Sequence, residues 1–327
     1  MAFSGTISTT TFNTNKVVDH AFRRCRISAQ RVTAEMQDIA LDLLYLSLSE
    51  MASVKTPSWC IEKLILPFYV GQPIVTLPLG TEEVLNANYR YLQQVTGPVT
   101  TTSSTYKMYF GDFVNVSSVG IKWSAAAVNL NFYVSDDDIT YVQVGSQTTS
   151  ATAGEWTWTD ITPQAYGKYF RITAPTGSIN YETVYLGNTP TEIPFGVLNR
   201  DSYVQQSNQI YGGRPTTYWF QRDINQPVMH LWPAPNAQAE FAQLIVWRHR
   251  QIMDVGSLQQ ELEIPQRWYN AIVDKLASLL AFEIDQVDPQ LIPLLAAKSD
   301  SSMAVAWAGD NDGSSTTIQP MIGYYTK

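Results

Sequence analysis

Between Gln94 and Asn188 the chain changes texture, and this change restricts the possible folds more than any single motif does. Short runs there alternate apolar and polar residues: Val119–Trp123, Leu130–Val134, Tyr141–Val144, Glu155–Trp158, Tyr169–Ile172 and Val184–Leu186. Turn residues separate them, starting with Thr96-Gly97-Pro98 and a Thr/Ser tract from Thr100 to Thr105. A period of two puts successive side chains on opposite faces of a strand, and several such strands at regular turn spacing read as an antiparallel sandwich. Outside this stretch the period lengthens towards that of a helix. The expectation is therefore an α+β chain with an all-β jelly-roll sandwich over 94–189, inserted into a discontinuous core of 1–93 and 190–327. Closing a long loop adds little entropy cost, so such an insertion is tolerated.

The flanking parts carry helical spacing. Val18, Ala21, Phe22 and Cys25 mark one face of a helix over 15–26. A second helix is predicted from Thr33, an N-cap with Glu35 in the first turn, to Ala52, with Met36, Ile39, Ala40, Leu43 and Ser47 inward. Two short amphipathic helices in series predict an αα-hairpin. Ile61–Val70 and Ile74–Leu77, split by Gly71-Gln72-Pro73, predict a β-hairpin ending at Leu77-Pro78. After Thr189-Pro190, strands are expected at Thr216–Gln221, Val228–Trp232 and 240–250. Pro265 suits helix position N1 and opens a helix to Ile284. Pro289 opens a last helical segment ending near Gly309. Residues 310–327 are polar with scattered apolar side chains and read as an arm without a core of its own.

Only 15% of residues are charged, against about 25% in an average domain, while tyrosines number 18 and tryptophans nine. That balance favours β-rich packing and large subunit interfaces. The net charge is −8. The one basic cluster, Arg23, Arg24 and Arg26, is short, which argues against a sequence-specific duplex binder. Cys25 and Cys60 read as two unpaired thiols. Met1 to Asn15 has neither the charged nor the apolar segment of a signal peptide. Ile39 to Leu48 is too short to span a bilayer and contains Asp42. The expectation is synthesis in a cytoplasm and no membrane partner.

A search for reactive constellations finds no P-loop, no GxGxxG after a strand, no GxSxG elbow and no HExxH. His20, His230 and His249 are scattered; the last two could approach on neighbouring strands but read as ordinary strand residues. Asp136-Asp137-Asp138 and Asp310-Asn311-Asp312-Gly313 lack the alternating ligands and distal Glu of a calcium loop, and read as turns. Trp156 and Trp158 share one strand face; core packing is the preferred reading over a sugar platform. No catalytic, cofactor-binding or metal-binding residue is nominated, no cofactor is called for, and the chain is read as not an enzyme.

The C-terminal block runs Leu198-Asn199-Arg200-Asp201-Ser202-Tyr203, then Gly213-Arg214-Pro215-Thr216-Thr217-Tyr218-Trp219, then Pro227-Val228-Met229-His230-Leu231-Trp232-Pro233-Ala234-Pro235. Val246-Trp247-Arg248-His249-Arg250 and Ile264-Pro265-Gln266-Arg267-Trp268-Tyr269-Asn270-Ala271 follow. This order resembles the head-to-tail adaptor family of tailed bacteriophages, also called tail accessory factors or head-tail connectors. The helical hairpin and the Ile65–Pro78 segment fit as well, so the resemblance covers about 1–93 and 190–327. It implies a helical adaptor core with a small antiparallel β portion. It further implies a virion structural protein of the neck: a homo-oligomeric ring, commonly a dodecamer, between the portal protein and the tail nozzle or tube. DNA would pass non-specifically through the lumen at ejection. The arm would reach the portal, with Ile318, Met321, Tyr324 and Tyr325 as contacts, because apolar residues spread over a polar chain order on binding. The acidic balance suits a channel that must release phosphates.

The insertion separately resembles a discoidin-type, galactose-binding-like sandwich, on Val134-Ser135-Asp136-Asp137-Asp138 before Tyr141, Gly154-Glu155-Trp156-Thr157-Trp158, and Lys168-Tyr169-Phe170-Arg171-Ile172. These are framework positions in that family and speak to fold. Three functions compete: the adaptor; a carbohydrate- or partner-binding module using the sandwich; and, last, a glycan hydrolase, which needs two carboxylates about 5–10 Å apart.

Overall fold

The structure is a computed structural model that describes residues 12–54, 57–148 and 150–310. The leading elements are α1 (Thr14–Arg24), α2 (Ala34–Val54), β1 (Ile61–Pro67), β2 (Ile74–Thr76) and β3 (Thr81–Val95). The middle holds β4 (Val99–Thr101), β5 (Thr105–Trp123), β6 (Leu130–Ser135), β7 (Val142–Gln147), β8 (Trp156–Thr173) and β9 (Tyr181–Pro194). Then come β10 (Gly196–Val197), α3 (Arg200–Val204), β11 (Gly212–Gly213), β12 (Thr217–Gln221), β13 (Val228–Trp232), β14 (Ala234–Pro235) and β15 (Gln243–Arg250). Helices α4 (Gln266–Glu283) and α5 (Ile292–Gly309) follow. The contacts divide the chain into two compact units, one drawn from both chain ends up to Ile61 and from Arg250, the other running Glu62–His249.

The first unit is helical. Val17, Val18, Ala21 and Phe22 recur at helical spacing and give α1 one buried face. The Asn13 side chain accepts from the Lys16 N–H at 3.2 Å and so opens the helix. Thr33 does the same for α2, accepting from Met36 N–H at 3.3 Å. These faces, with Met36, Ala40, Leu43 and Leu44 of α2 and Trp268, Ile272, Leu276 and Leu280 of α4, form one apolar core. The pairing differs from the expected hairpin, because α1 packs chiefly on α4 rather than on α2. Pro265 stands as the extended N-cap of α4, one residue outside the predicted N1 position. Helix α5 starts three residues beyond Pro289, because Asp288 holds a turn there: its side chain accepts from Gln290 N–H at 3.0 Å and its carbonyl from Leu291 N–H at 2.8 Å. Cys25 and Cys60 are buried and form no disulfide. Asp310, expected to begin the loose arm, is buried and accepts from Ser58 N–H at 2.8 Å and Ser58 Oγ at 2.6 Å, and pairs with Arg267. The proposed anchors Ile318, Met321, Tyr324 and Tyr325 lie outside the described residues.

The second unit is built on a nine-stranded sheet in the order β1-β15-β3-β9-β5-β8-β6-β7, with β4 on β5. Strands β5 and β8 pair along almost their whole length, with register breaks at Tyr109/Val114 and Val116/Ser118. Side chains from both halves of these strands, among them Met108, Ile121, Ile161 and Phe170, fill one core. The strands therefore bend at the breaks and wrap that core as a sandwich. Gly111 supplies a positive φ of 86° in the first bend. The runs predicted as separate strands at Glu155–Trp158 and Tyr169–Ile172 join in β8, which starts at Trp156.

Strands β3 and β9 pair antiparallel from Asn88↔Pro194 to Val95↔Leu186. This ladder runs through both ends of the expected 94–189 insertion, so the contacts group the sandwich with its neighbouring strands instead. The predicted hairpin at 61–77 does not form: β1 lies beside β15 and β2 pairs with β13. A smaller sheet, β10-β12-β13-β2, is mixed rather than antiparallel, since β10 runs parallel to β12. No helix among the described residues is long and apolar enough to cross a membrane.

Candidate functional site

A cavity and a charged cluster both belong to the Glu62–His249 unit. The sequence put Trp156 and Trp158 on one face of a strand, and the structure does so: the rings stack at 5.3 Å with 10° between planes. Residues distant in sequence close around them. Tyr185 meets Trp158 edge-on at 5.6 Å, Phe241 meets Trp156 edge-on at 5.8 Å, and Leu92 completes the cluster. Both indoles are buried. Opposite Trp158, a Cβ on Gly120 would sit 2.4 Å from the ring, so only glycine fits there. Core packing, the preferred reading, holds for these two residues.

Trp156 and Trp158 of this cluster also line a cavity of about 370 Å³. Tyr69, Gln72 and Ile74 line it together with Ser150, Glu155 and Trp156. Trp156 N–H donates to the Tyr69 hydroxyl at 3.3 Å. Burial raises the pKa of that hydroxyl; the Trp156 N–H acts to lower it, and Glu155 to raise it. The phenol therefore stays neutral and keeps its own proton to donate. Glu155 is exposed and accepts from Thr152 N–H at 2.6 Å. An apolar indole wall with a phenol, a carboxylate and an amide above it suits a small polyhydroxylated ligand.

The unit's charged cluster does other work. Arg90, buried between strands, donates to both Asp160 oxygens at 2.8 and 2.9 Å and to Glu192 at 2.7 and 2.9 Å. Lys63 adds a bond to Asp160 at 3.0 Å. Burial acts to raise both carboxyls, but the bonds from Arg90 and Lys63 to Asp160, and from Asn88 and Arg90 to Glu192, outweigh it and hold both below their ordinary values. Glycoside hydrolysis needs one carboxyl protonated as a general acid. A pair fixed in the ionised form does not supply it.

The remaining nominated residues resolve locally. Asp137 caps its turn by accepting from Ile139 N–H at 2.9 Å and Thr140 N–H at 2.8 Å, and Asp138 pairs with Lys107 at 2.8 Å. No group of three metal-ligating side chains is assembled among the described residues. His230 and His249 are on β13 and β15, in different sheets, so they are not strand neighbours. His230 stacks on Trp219 at 4.6 Å. Arg24 is engaged by Asp274 and by Asn270 Oδ1 at 2.7 Å, and is not a free basic surface.

Sequence comparison finds no matching family model and no matching curated protein. Among solved structures, similarity is found to a CBM32 module produced by Clostridium perfringens, at 6% identity over 42% of this chain and 98% of the other, with a TM-score of 0.23. A chitosan-binding module from a Paenibacillus chitosanase/glucanase is similar at 15% identity over 35% and 99%, with a TM-score of 0.23. For the C-terminal domain of a Bacteroides fragilis chitobiase the identity is 8% and the TM-score 0.22; this chain spans 64% of that domain, using 27% of its own length. Likenesses at these scores carry no weight in the functional argument.

Proposed function

We propose that this chain is a non-enzymatic binding protein whose β-sandwich serves as a carbohydrate- or partner-binding module. The observation that carries the reading is the cavity at Trp156. Its volume falls within the range of about 300–1,000 Å³ usual for small-ligand pockets, and it combines an aromatic wall with a few polar groups able to orient hydroxyls. The test is an oligosaccharide array probed with the full chain, followed by titration of any hit. Glu155→Gln and Gln72→Ala change exposed side chains, so both variants are expected to keep the wild-type melting temperature. Each should weaken binding about tenfold, Gln72→Ala by removing a partner of a ligand hydroxyl and Glu155→Gln by replacing a charged acceptor with a weaker neutral one. If the wild type binds no glycan, or the variants bind as well as it does, this reading fails.

A second reading joins the first rather than replacing it. We infer that the helical unit builds the chain into a larger assembly, and the ordered blocks from Leu198 to Ala271 make the phage neck the assembly to test. Leu46, Phe282, Leu294 and Val305 of that unit are each more than half exposed, a poor surface for an isolated monomer and a suitable one for contact with further copies. In this reading the chain forms a ring in the virion, between the portal protein and the tail nozzle or tube, with DNA passing through the lumen. The sandwich then decorates the assembly. Negative-stain microscopy of the full chain mixed with its cognate portal tests it. Rings docked on the portal are the expected result. A chain that stays monomeric and ignores the portal sinks this reading and leaves the first intact.

A further inference from the structure

The outward face of the sandwich is not the polar surface that alternation normally leaves. On β5 and β8, Tyr106, Met108, Phe170 and Ile172 point into the core, and the residues between them point out. Those outward residues are aromatic and cationic. Tyr109 stacks on Tyr169 at 4.7 Å, directly across the strand pair. Where β5 bends, Phe113 stacks on Tyr166 at 5.2 Å with 16° between planes, and Lys168 Nζ sits 4.9 Å from the Phe113 centroid. Further along β8, the Arg171 guanidinium lies 3.6 Å from the Tyr141 centroid and 5.1 Å from that of Tyr133.

Two properties set this strip apart. Tyr109, Phe113 and Tyr166 are 39%, 44% and 59% exposed, so the rings are not core. The cations are also incompletely matched. Lys107 pairs with Asp138, whose charge also acts on Arg171, while Lys168 forms no ion pair among the described residues and the Arg171 Nε is buried without an acceptor. In a chain of net charge −8, Lys168 and Arg171 lie against aromatic faces along β5, β6 and β8. Rings stack on the C–H faces of pyranoses, and unpaired cations call for an anion.

We propose that this strip is a ligand surface separate from the Trp156 cavity, and that its occupant is a carboxylated polysaccharide. The chain of sugars lies along β8, with rings against the Tyr109–Tyr169 and Phe113–Tyr166 pairs and carboxylates at Lys168 and Arg171. Asp112 and Asp136, exposed on the adjoining bend and turn, disfavour a more densely charged strand such as single-stranded DNA.

The test uses the full chain and three probes in titration calorimetry at one ionic strength: polygalacturonate, the same polymer fully methyl-esterified, and an oligothymidylate. Polygalacturonate is expected to bind, and esterification to weaken it about tenfold by removing the anions while keeping the rings. Tyr166→Ala removes an exposed side chain and Lys168→Ala a half-buried one whose ammonium lies on the Phe113 ring; each should weaken binding about fivefold or more, and Tyr166→Ala should leave the melting temperature unchanged. Glu155→Gln, at the cavity, should change nothing here, so loss of this surface and loss of the cavity reading are told apart. No binding, equal binding of the ester, indifference to both surface variants, or tighter binding of the oligothymidylate would each overturn the proposal.

Discussion

The helical unit and the β unit solve the same problem by different means. The helical unit gathers one apolar core from segments more than 200 residues apart in sequence, and its buried carboxylate Asp274 is met by Arg24 and by Lys298 at 3.3 Å. The β unit divides its apolar side chains among three clusters and ties its strands with the Arg90 network. A helix satisfies its backbone internally, so only its apolar stripe needs a partner. A strand needs its neighbours for every backbone group, and long bent strands need specific side-chain ties where the ladder breaks. The helical unit should therefore be most sensitive to lost volume, and the β unit to lost polar links and altered bends.

The largest expected effect tests the first half of that contrast. Trp268 is fully buried and meets Trp59 at 5.0 Å and Trp307 edge-on at 4.7 Å. Trp268→Ala should cost about 4 kcal/mol of stability, since a cavity of that size cannot collapse. Chemical unfolding followed by helical circular dichroism checks this; a loss under about 1 kcal/mol would mean that the core is not tightly packed there.

Arg90→Met tests the second half. The carboxylates it leaves keep 24% and 33% exposure, so the cost should sit near the lower end for breaking a buried pair, about 3 kcal/mol. The pH dependence gives a second check. Asp160 and Glu192 have folded pKa values below their ordinary 3.8 and 4.5, so they bind fewer protons in the folded state. Their stabilisation is present above those ordinary values and is lost as the pH falls through the lower folded ones. The gap between wild type and Arg90→Met should accordingly narrow below pH 4.5, the higher ordinary value. A gap that stays constant down to acid unfolding would show that Arg90 acts through packing.

The same contrast explains what could be read in advance. Helices α1, α2 and α4 were legible because Val18, Ala21, Phe22, Met36, Ile39 and Leu43 repeat locally. The partner of α1 was not, since adjacency in sequence favours α2 whereas the complementary face is on α4. Strand runs were legible from alternation, but their pairing was not. Ile61–Val70 and Ile74–Leu77 read as a hairpin, whereas their partners come from beyond residue 225. Strand β8 read as two pieces because Pro163 and Gly167 interrupt the alternation that its pairing with β5 carries through. At the candidate site, the shared face of Trp156 and Trp158 was visible, while Tyr69 and Gln72 come to the same cavity through non-local packing. The outward strip was not legible: Tyr166 and Lys168 share the parity of the inward Phe170 and Ile172, and only the register break between Gly167 and Tyr169 turns them to the other face.

A change of one methyl group sharpens the role of the bent strands. The Cβ of Gly120→Ala would meet the Trp158 ring at 2.4 Å, and that ring is held by Trp156 and Tyr185. Overpacking of this kind should cost about 2 kcal/mol and shift tryptophan emission to the red as the cluster opens. Unchanged emission and stability would mean that the sheet yields at Gly120 more easily than the paired register of β5 with β8 and β9 implies.

The smallest expected effect returns to the helical unit and asks whether local capping adds measurably to its core. Thr33 accepts from Met36 N–H, satisfying one of the donors that the start of α2 leaves without a helical partner. Thr33→Ala removes that acceptor from an exposed position without opening a cavity, and should cost about 1 kcal/mol. Thr33→Asp restores an acceptor and adds a negative charge at the positive end of the helix dipole, so it should match or slightly exceed the wild type. If Ala and Asp destabilise equally, Thr33 contributes through its own packing; if neither has an effect, water satisfies the freed N–H and the stability of α2 rests on Met36, Ala40, Leu43 and Leu44 alone.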